Sequence, residues 1–188
     1  MALKIKPKIR YLRDLKDVVY DRKWYEKAAN FPVYYMYRGV KKRGEWRYDI
    51  TIIPPNMLGK EYTKTQGHRH VGAYTEAYSV LKGKAIFFMQ KIAKGKVADA
   101  YIVNADKGES IIIPPNYGHI TINPINKPLK LANWIKDKSK SGYGFIGKNR
   151  GGCYYYLKSG WIKNKHYGQV PSLRPEKPIK KIPPSFFS

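Results

Sequence analysis

The sequence predicts an all-β protein built as a sandwich or barrel of short strands. Two patterns support this prediction. Short runs rich in β-branched and aromatic residues follow one another from residue 33 to residue 135, and each run ends at a turn signal containing Gly, Pro or Asn. No helical pattern separates them, and short strands at regular spacing without intervening helices are typical of sandwiches and barrels.

The elements can be assigned in chain order. Residues 1–31 are expected to form an N-terminal helical segment, because residues 13–29 permit one or two short helices broken near Asp21. This is the only stretch whose pattern favours helix. The expected strands are residues 33–38, 46–53, 76–81, 84–91, 97–103, 109–114, 119–123 and 129–135, followed by a final hairpin at 153–162.

These strands define an expected barrel core of about residues 33–162 within a single domain of residues 1–188. The proline-rich residues 171–188 are expected to form an extended tail that packs across the barrel or across a partner subunit. Exposed sheet edges that this tail and the N-terminal segment could cover on a second copy favour a homodimer.

Composition narrows the class of protein. Cys153 is the only cysteine, so no intrachain disulfide is possible, and neither a signal peptide nor an apolar run of membrane-spanning length is visible. We therefore expect a cytoplasmic protein that is not embedded in a membrane. The formal net charge is +24, but Lys and Arg are spread along the whole chain. This favours a solvated surface over a specific nucleic-acid site, and leaves nonspecific attraction of anions open.

The histidines carry the strongest chemical signal. Three of the four fall in two short segments, residues 67–83 and 108–123. His68 and His70 are two residues apart, so on a strand both imidazoles project from one face and form half of a metal site. Glu76 begins the next expected strand, and His119 lies on a later one; together they complete a four-ligand set. Three imidazoles and one carboxylate suit iron, nickel, manganese, zinc or cobalt and leave open positions for substrate oxygens.

Both segments match the two motifs of the cupin superfamily. The first motif is represented by His68, His70, Glu76 and Gly83, and the second by Gly108, Pro114, His119 and Asn123. The resemblance implies a cupin fold, a double-stranded β-barrel or jelly roll. Two departures occur: the gap before Glu76 is longer than the commonest one, and Asn116 stands where the second motif usually has Gly. Asn tolerates positive φ, so the turn is expected to survive.

Within the cupins, the chain resembles the archaeal-type glucose-6-phosphate isomerases over most of residues 33–146. The similar stretches include TKTQGHRH (63–70), TEAYSVLKGKA (75–85) and IIPPNYGHITIN (112–123). The resemblance implies metal ligands at His68, His70, Glu76 and His119. It implies substrate-binding roles for Thr51, Thr65 and Gly67, which correspond to phosphate-binding residues, and for the tyrosines Tyr34, Tyr78 and Tyr143.

The family activity is the interconversion of glucose 6-phosphate and fructose 6-phosphate, a step of glycolysis and gluconeogenesis. The resemblance implies one divalent metal per chain, with Fe²⁺ favoured, and a phosphorylated sugar as substrate. Glu76 is the candidate catalytic base, and Tyr78 or a metal-bound hydroxide becomes the candidate if Glu76 stays bound to the metal. A cis-enediol route and a direct hydride shift both remain open at this point.

Three positions depart from the isomerase family. Gln66 replaces a lysine, and Ile135 and Ser141 stand where a tyrosine and a histidine are expected. These differences concern the sugar rather than the metal. They keep open a cupin of another activity, such as a sugar epimerase or a metal-dependent oxygenase, and a non-catalytic metal-retaining binder of sugar or nucleic acid.

Overall fold

Two six-stranded sheets form the body of the protein in the computed structural model, which describes residues 5–188. The first sheet is entirely antiparallel. In spatial order it contains β1 (Lys8–Tyr11), β2 (Pro32–Arg43), β3 (Trp46–Ile53), β12 (Leu129–Lys136), β7 (Glu76–Lys82) and β10 (Ser110–Ile113). Each strand that was expected from the sequence in this sheet is present.

The second sheet carries the remaining long strands. In spatial order it contains β13 (Lys140–Gly142), β6 (His68–Val71), β11 (Tyr117–Ile122), β8 (Lys84–Ala93), β9 (Lys96–Asp106) and β16 (Arg174–Glu176). A small third sheet contains β15 (Gly160–Lys163), β14 (Tyr154–Leu157), β5 (Glu61–Tyr62) and β4 (Met57–Leu58). The predicted all-β cupin jelly roll is thereby confirmed. In the described residues its sheets are separate and are not hydrogen-bonded to one another into a closed barrel.

Strand β8 lies between two hydrophobic cores. Its residues alternate between faces, so Phe87 and Met89 pack into the core between the two large sheets, together with Ile53 of β3. Ile86 and Phe88 point the other way into a second core that includes side chains of the small sheet. Both faces of β8 are buried, which explains its nearly continuous apolar run. Each such side chain contributes roughly 1.5–3 kcal/mol through burial.

The N-terminal segment is only partly as expected. A 3-10 helix (Leu12–Leu15) and the helix α1 (Arg22–Lys27) are separated near Asp21, whose carboxylate caps α1 by accepting a hydrogen bond from the Trp24 backbone N–H at 3.1 Å. However, β1 shows that the segment 1–31 also contains a strand, and residues 1–4 lie outside the described part. The alternation of basic and apolar residues before Leu12 fits a sheet edge better than a helix.

The expectation that residues 13–29 would be the only helical stretch was wrong. Helix α2 (Gly144–Lys148) follows the second sheet, and a 3-10 helix (Pro184–Phe187) lies near the C-terminus. Burial of Ile146 in the main core stabilises α2 despite its glycines. No helix in the described residues is long and apolar enough to cross a membrane.

The C-terminal tail packs on its own chain. Strand β16 pairs in parallel with β9, and Ile179 forms an isolated bridge with Ser110 at the edge strand β10. Farther along, the Phe186 ring lies 4.5 Å from that of Trp46. The proline-rich tail therefore covers sheet edges of the same barrel, which was one of the two outcomes expected from the sequence. The sheets accordingly extend from Lys8 to Glu176, beyond the expected core of 33–162.

A buried ion pair ties the N-terminal segment to the barrel. The Lys64 ammonium contacts the Glu61 carboxylate, and both side chains are almost fully buried. Lys64 Nζ also donates to the Val18 carbonyl at 2.8 Å, while the Tyr20 backbone N–H donates to Glu61 at 2.8 Å. Burial raises the pKa of Glu61, although the neighbouring Lys64 opposes this shift.

Candidate metal centre and substrate cavity

Three neighbouring segments bring the four predicted ligands together. His68 and His70 lie on β6, with one residue between them, and His119 on β11 is the direct cross-strand partner of His68. Glu76 is the first residue of β7 in the opposite sheet. Asn116 adopts φ of +68° in the turn before β11, as its position in the motif requires. The strand order therefore assembles the cluster that the motif spacing predicted.

The ligand atoms are close to one another. One atom from each of His68, His70, Glu76 and His119 can be chosen so that all lie within 4.8 Å of one another. Glu76 Oε2 lies 2.9 Å from His70 Nε2 and 3.4 Å from His119 Nε2. The His68 ring centroid is 4.4 Å from that of His119 and 4.9 Å from that of His70.

Burial keeps His68 and His119 in the form that binds metals. Burial lowers the pKa of His68 to about 3, with further lowering from the nearby His70, Arg38 and Arg10. Burial and the neighbouring imidazoles also lower the pKa of His119 well below its ordinary value. These imidazoles are neutral at pH 7, and a neutral ring nitrogen can donate its lone pair to a metal.

The residues fit a divalent metal. Both ring nitrogens of His119 are buried and have no hydrogen-bond partner in residues 5–188, although buried polar atoms normally have one. A metal ion would satisfy one of them. The separation of the ligand atoms, within 4.8 Å, is near the roughly 4 Å span of two atoms on opposite sides of one ion. The His68, His70, Glu76 and His119 cluster is therefore a candidate site for one divalent metal.

Asn133 orients the carboxylate of this cluster. Its Nδ2 donates to Glu76 Oε1 at 2.6 Å, and both side chains are buried. With Oε1 engaged in this way, Oε2 points toward His70 and His119. A hydrogen bond behind a ligating carboxylate fixes its orientation. Asn133 was not singled out from the sequence, although a polar residue at the centre of the apolar strand LKLANWI is a usable signal.

Comparison with known proteins agrees with the geometry. The sequence model of the glucose-6-phosphate isomerase (GPI) family matches residues 9–172. The chain belongs to this family. The isomerase of Thermococcus onnurineus is 30% identical over 157 residues, which cover 81% of this chain and 80% of that protein. The isomerase of Pyrococcus furiosus is 30% identical over 149 residues, covering 76% and 77% of the two chains.

The other site residues expected from the resemblance to the glucose-6-phosphate isomerase family all line the same cavity. It has a volume of about 390 Å³ and is partly open to solvent. Its wall includes the four cluster residues and Tyr34, Thr51, Thr65, Gly67, Tyr78 and Tyr143. The structure thus brings together every residue that the sequence predicted for the site, whereas the role of each remains a prediction.

Thr65 and Gly67 lie directly before the His68 strand. The Thr65 hydroxyl oxygen accepts a hydrogen bond from the Thr121 backbone N–H at 3.0 Å, so its own proton is free to be donated. Gly67 adopts φ of +80°, and a Cβ there would lie 2.5 Å from Cγ1 of Ile120. Only glycine suits this backbone position, which keeps the main chain close to the cavity.

Burial favours the neutral phenol form of two cavity tyrosines, Tyr34 and Tyr78. Burial raises the pKa of Tyr78 well above its ordinary value, and the neighbouring Glu76 adds to the shift. Burial also raises the pKa of Tyr34 to about 12. Tyr78 stands two residues after Glu76 on β7 and therefore faces the same side, with its ring 5.8 Å from that of His119. Both phenols act as neutral hydrogen-bonding groups in this cavity.

Two of the three departures from the isomerase family lie in the cavity wall. Ile135 and Ser141 both line it, and Ser141 pairs with His70 across the β13–β6 ladder. Gln66 is not part of the wall; its backbone N–H donates to the Tyr34 hydroxyl at 3.4 Å. The departures expected at Ile135 and Ser141 therefore lie in the surface of this cavity.

Charged wall residues were also missed from the sequence. Asp49 is buried, accepts a hydrogen bond from the Gly39 backbone N–H at 2.8 Å, and pairs with Arg47 through Nε at 2.9 Å. Arg10 and Arg38 line the wall as well. Their positions depend on which strands pair, and so their sequence neighbourhood gives no signal. His166, the one histidine outside both motifs, lines a separate hollow beside Tyr155.

Proposed function

We propose that this chain is a metal-dependent aldose–ketose isomerase that interconverts glucose 6-phosphate and fructose 6-phosphate. One observation carries the proposal: a buried three-histidine, one-carboxylate cluster lies in the wall of an open cavity that also presents Thr51, Thr65 and Gly67. Membership of the glucose-6-phosphate isomerase family supports the same reaction. A sugar phosphate entering this cavity can place its carbonyl end at the cluster while its phosphate remains near the neutral donors.

We propose Fe²⁺ as the native ion, held by His68, His70, Glu76 and His119. Nickel, manganese, zinc and cobalt suit the same mixed imidazole and carboxylate ligands. A bound divalent ion supplies Lewis acidity that polarises the substrate carbonyl and favours proton loss at the adjacent carbon.

In the proposed reaction, Glu76 and Tyr78 move the protons. Through a carboxylate oxygen that is not bound to the metal, Glu76 takes the proton from C2 of the aldose and returns it to C1, while the Tyr78 hydroxyl relays a proton from O2 to O1 and so remains neutral overall. Through a cis-enediol these transfers convert the aldose into the ketose with all atoms balanced. Asn133 supports this role because it fixes the Glu76 carboxylate at 2.6 Å.

Proton exchange with solvent tests this route. In deuterated water, a base that removes the C2 proton exchanges it with solvent during turnover, and so deuterium is expected at C1 of fructose 6-phosphate. Product that stays free of deuterium after prolonged equilibration, through many turnovers, would contradict proton transfer by Glu76 and would leave a direct hydride shift. Mass spectrometry of the isolated sugar phosphate gives the answer.

Ligand variants test the assignment of the metal site. His68→Ala, His70→Ala and His119→Ala should each lower metal content and activity, whereas His166→Ala should change neither, because its ring lies outside the cluster. A coupled assay that detects glucose 6-phosphate formed from fructose 6-phosphate measures activity, and elemental analysis measures metal. Loss of metal in the His166 variant with full retention in the other three would overturn the assignment.

We further propose that the chain acts as a single cupin domain, as a homodimer, in cytoplasmic glycolysis and gluconeogenesis. Support for the dimer is the outer edge of β1, which has no strand partner beyond β2 in the described residues. Light scattering at micromolar concentration tests this, and a monomeric mass would remove the dimer.

A further inference from the structure

The cavity wall carries more positive charge than its own carboxylates balance. Two acidic side chains lie in this wall, Asp49 and Glu76, and Glu76 belongs to the metal cluster. Five basic side chains face them: Lys8, Arg10, Arg38, Arg47 and Lys140. Arg47 forms an ion pair with Asp49, and none of the other four takes part in an ion pair within residues 5–188. Like charges that converge on one cavity repel one another, and an anion bound among them relieves that repulsion.

Arg10 is held at a defined place in this wall. It pairs directly across the ladder from Tyr34, so both side chains leave the sheet on the cavity side. Its guanidinium carbon lies 5.5 Å from the centroid of the Tyr143 ring, and that ring lies 5.7 Å from the His68 ring. Arg10 Nε is buried without a hydrogen-bond partner in the described residues. The Tyr143 ring therefore lies between the Arg10 guanidinium and the candidate metal ligands.

Arg38 reaches the same cavity from its rim. Tyr34, Met36 and Arg38 alternate along β2 and all line the cavity. Regular pairing of β2 with β3 is interrupted just beyond this point, where the Gly39 backbone N–H donates to Asp49 at 2.8 Å. Arg38 is solvent-exposed. It can therefore close over a ligand from outside, while Arg10 holds the ligand from within.

We propose that Arg10 and Arg38 form a guanidinium clamp for the phosphate group of the substrate. This inference rests on the proposed isomerase function. A hexose 6-phosphate has its phosphate at the end opposite C1 and C2, so the anion must be held one sugar length from the metal cluster. Guanidinium groups bind phosphate oxygens in bidentate fashion, and their charge-assisted hydrogen bonds are stronger than those of neutral hydroxyls.

The clamp works beside a cavity wall that has one hydroxyl fewer than the resemblance implies. Ile135 lies in this wall at a position where a tyrosine was expected from the resemblance. Thr51, Thr65 and Gly67 then serve as the neutral side of the phosphate site. The chain should consequently discriminate strongly between a phosphorylated sugar and the free sugar.

Charge-neutralising variants of the metal-loaded protein test the clamp. Arg10→Gln and Arg38→Gln are each expected to raise KM for glucose 6-phosphate about tenfold, and the double variant about a hundredfold, because each loses one charge-assisted contact. The turnover number should change by less than about threefold, since the clamp binds substrate and transition state alike. Competitive inhibition by inorganic phosphate should weaken by the same factors.

Arg69→Gln is the matched control. Arg69 is an exposed arginine between His68 and His70 on β6, and its side chain faces away from the cavity into a separate hollow beside Val71. Its replacement removes the same charge outside the cavity and should leave KM within about twofold of wild type. Arg10→Lys keeps the positive charge but not the planar guanidinium that binds phosphate in bidentate fashion. Its KM should therefore lie between those of wild type and Arg10→Gln. Arg38 is exposed, and the folding of its variant is not at issue.

The outcomes separate this clamp from the proposed reaction. Unchanged KM and unchanged phosphate inhibition in both arginine variants, alongside active wild type, would overturn the clamp and leave the isomerase intact. Thermal stabilisation by glucose 6-phosphate that is lost in Arg10→Gln and Arg38→Gln, in a protein without turnover, would keep the clamp and overturn the isomerase. An equal rise in KM in Arg69→Gln would show that the effect comes from the overall charge of the protein, and would contradict a specific site.

Discussion

Replacement of Asn133 by alanine should weaken the metal centre without touching any ligand. Asn133 Nδ2 donates to Glu76 Oε1 at 2.6 Å inside the cavity wall, and the two side chains are 5% and 3% exposed. The Asn133→Ala variant removes this donor and leaves the carboxylate free to rotate away from His70 and His119. The buried carboxylate also loses a hydrogen-bond partner.

The magnitude follows from the kind of bond that is lost. A hydrogen bond to a charged group contributes about 1.5–3 kcal/mol. Since 1.4 kcal/mol corresponds to a factor of ten, metal affinity should fall about tenfold to a hundredfold. Loss of groups that support metal ligands from behind has effects of this order. Activity at limiting metal should fall in the same proportion and recover when the metal concentration is raised.

Competition with a chelator of known affinity measures the metal dissociation constant at fixed pH. Asn104→Ala is the control, because Asn104 is an exposed asparagine on β9, outside the cavity. An affinity of Asn133→Ala within about twofold of both wild type and the control would refute the idea that this hydrogen bond fixes the ligand.

Two further predictions concern stability, measured by chemical denaturation. Lys64→Met should lower the free energy of unfolding by about 3–5 kcal/mol at neutral pH, because it leaves the buried Glu61 carboxylate uncompensated; the exposed Lys60→Met is its control. Since the folded-state pKa of Glu61 is already raised by burial, the deficit should shrink as pH falls and Glu61 takes up a proton; a deficit independent of pH would contradict this. Gly67→Ala should cost about 1–3 kcal/mol more than Gly95→Ala, because both glycines have positive φ but only Gly67 lacks space for a Cβ. Equal losses of unfolding free energy in the two alanine variants would show that Ile120 moves aside from residue 67 at little cost.

The ligand cluster could be predicted because its signal is local. His68 and His70 share a strand face through simple alternation, and the glycines, prolines and Asn116 mark the turns that return the chain to the site. The same reasoning located the strands, since most of them combine a characteristic composition with a visible turn. For the strands and for the His68 and His70 pair, the determining interactions lie within a few residues of one another. Glu76 and His119 were joined to that pair through the resemblance to the cupin motifs.

The missed features depend on contacts between distant parts of the chain. Arg10 enters the cavity only because β1 pairs with β2 across an intervening helical region, and Asn133 meets Glu76 only because β12 pairs with β7. Strand order is not encoded in the local pattern of either residue. Helix α2 was missed for another reason: its glycine-rich sequence disfavours helix, and burial of Ile146 overrides that preference.

Reconstitution of activity against bound metal tests the central claim most directly. Protein stripped by a chelator is titrated with Fe²⁺ under anaerobic conditions, and conversion of fructose 6-phosphate to glucose 6-phosphate is recorded at each metal content. Because His68, His70, Glu76 and His119 form one cluster, activity should be absent at the start, rise in proportion to bound metal and level off at about one ion per chain. Full activity in the stripped protein, or no conversion at full occupancy, would contradict a metal-dependent isomerase.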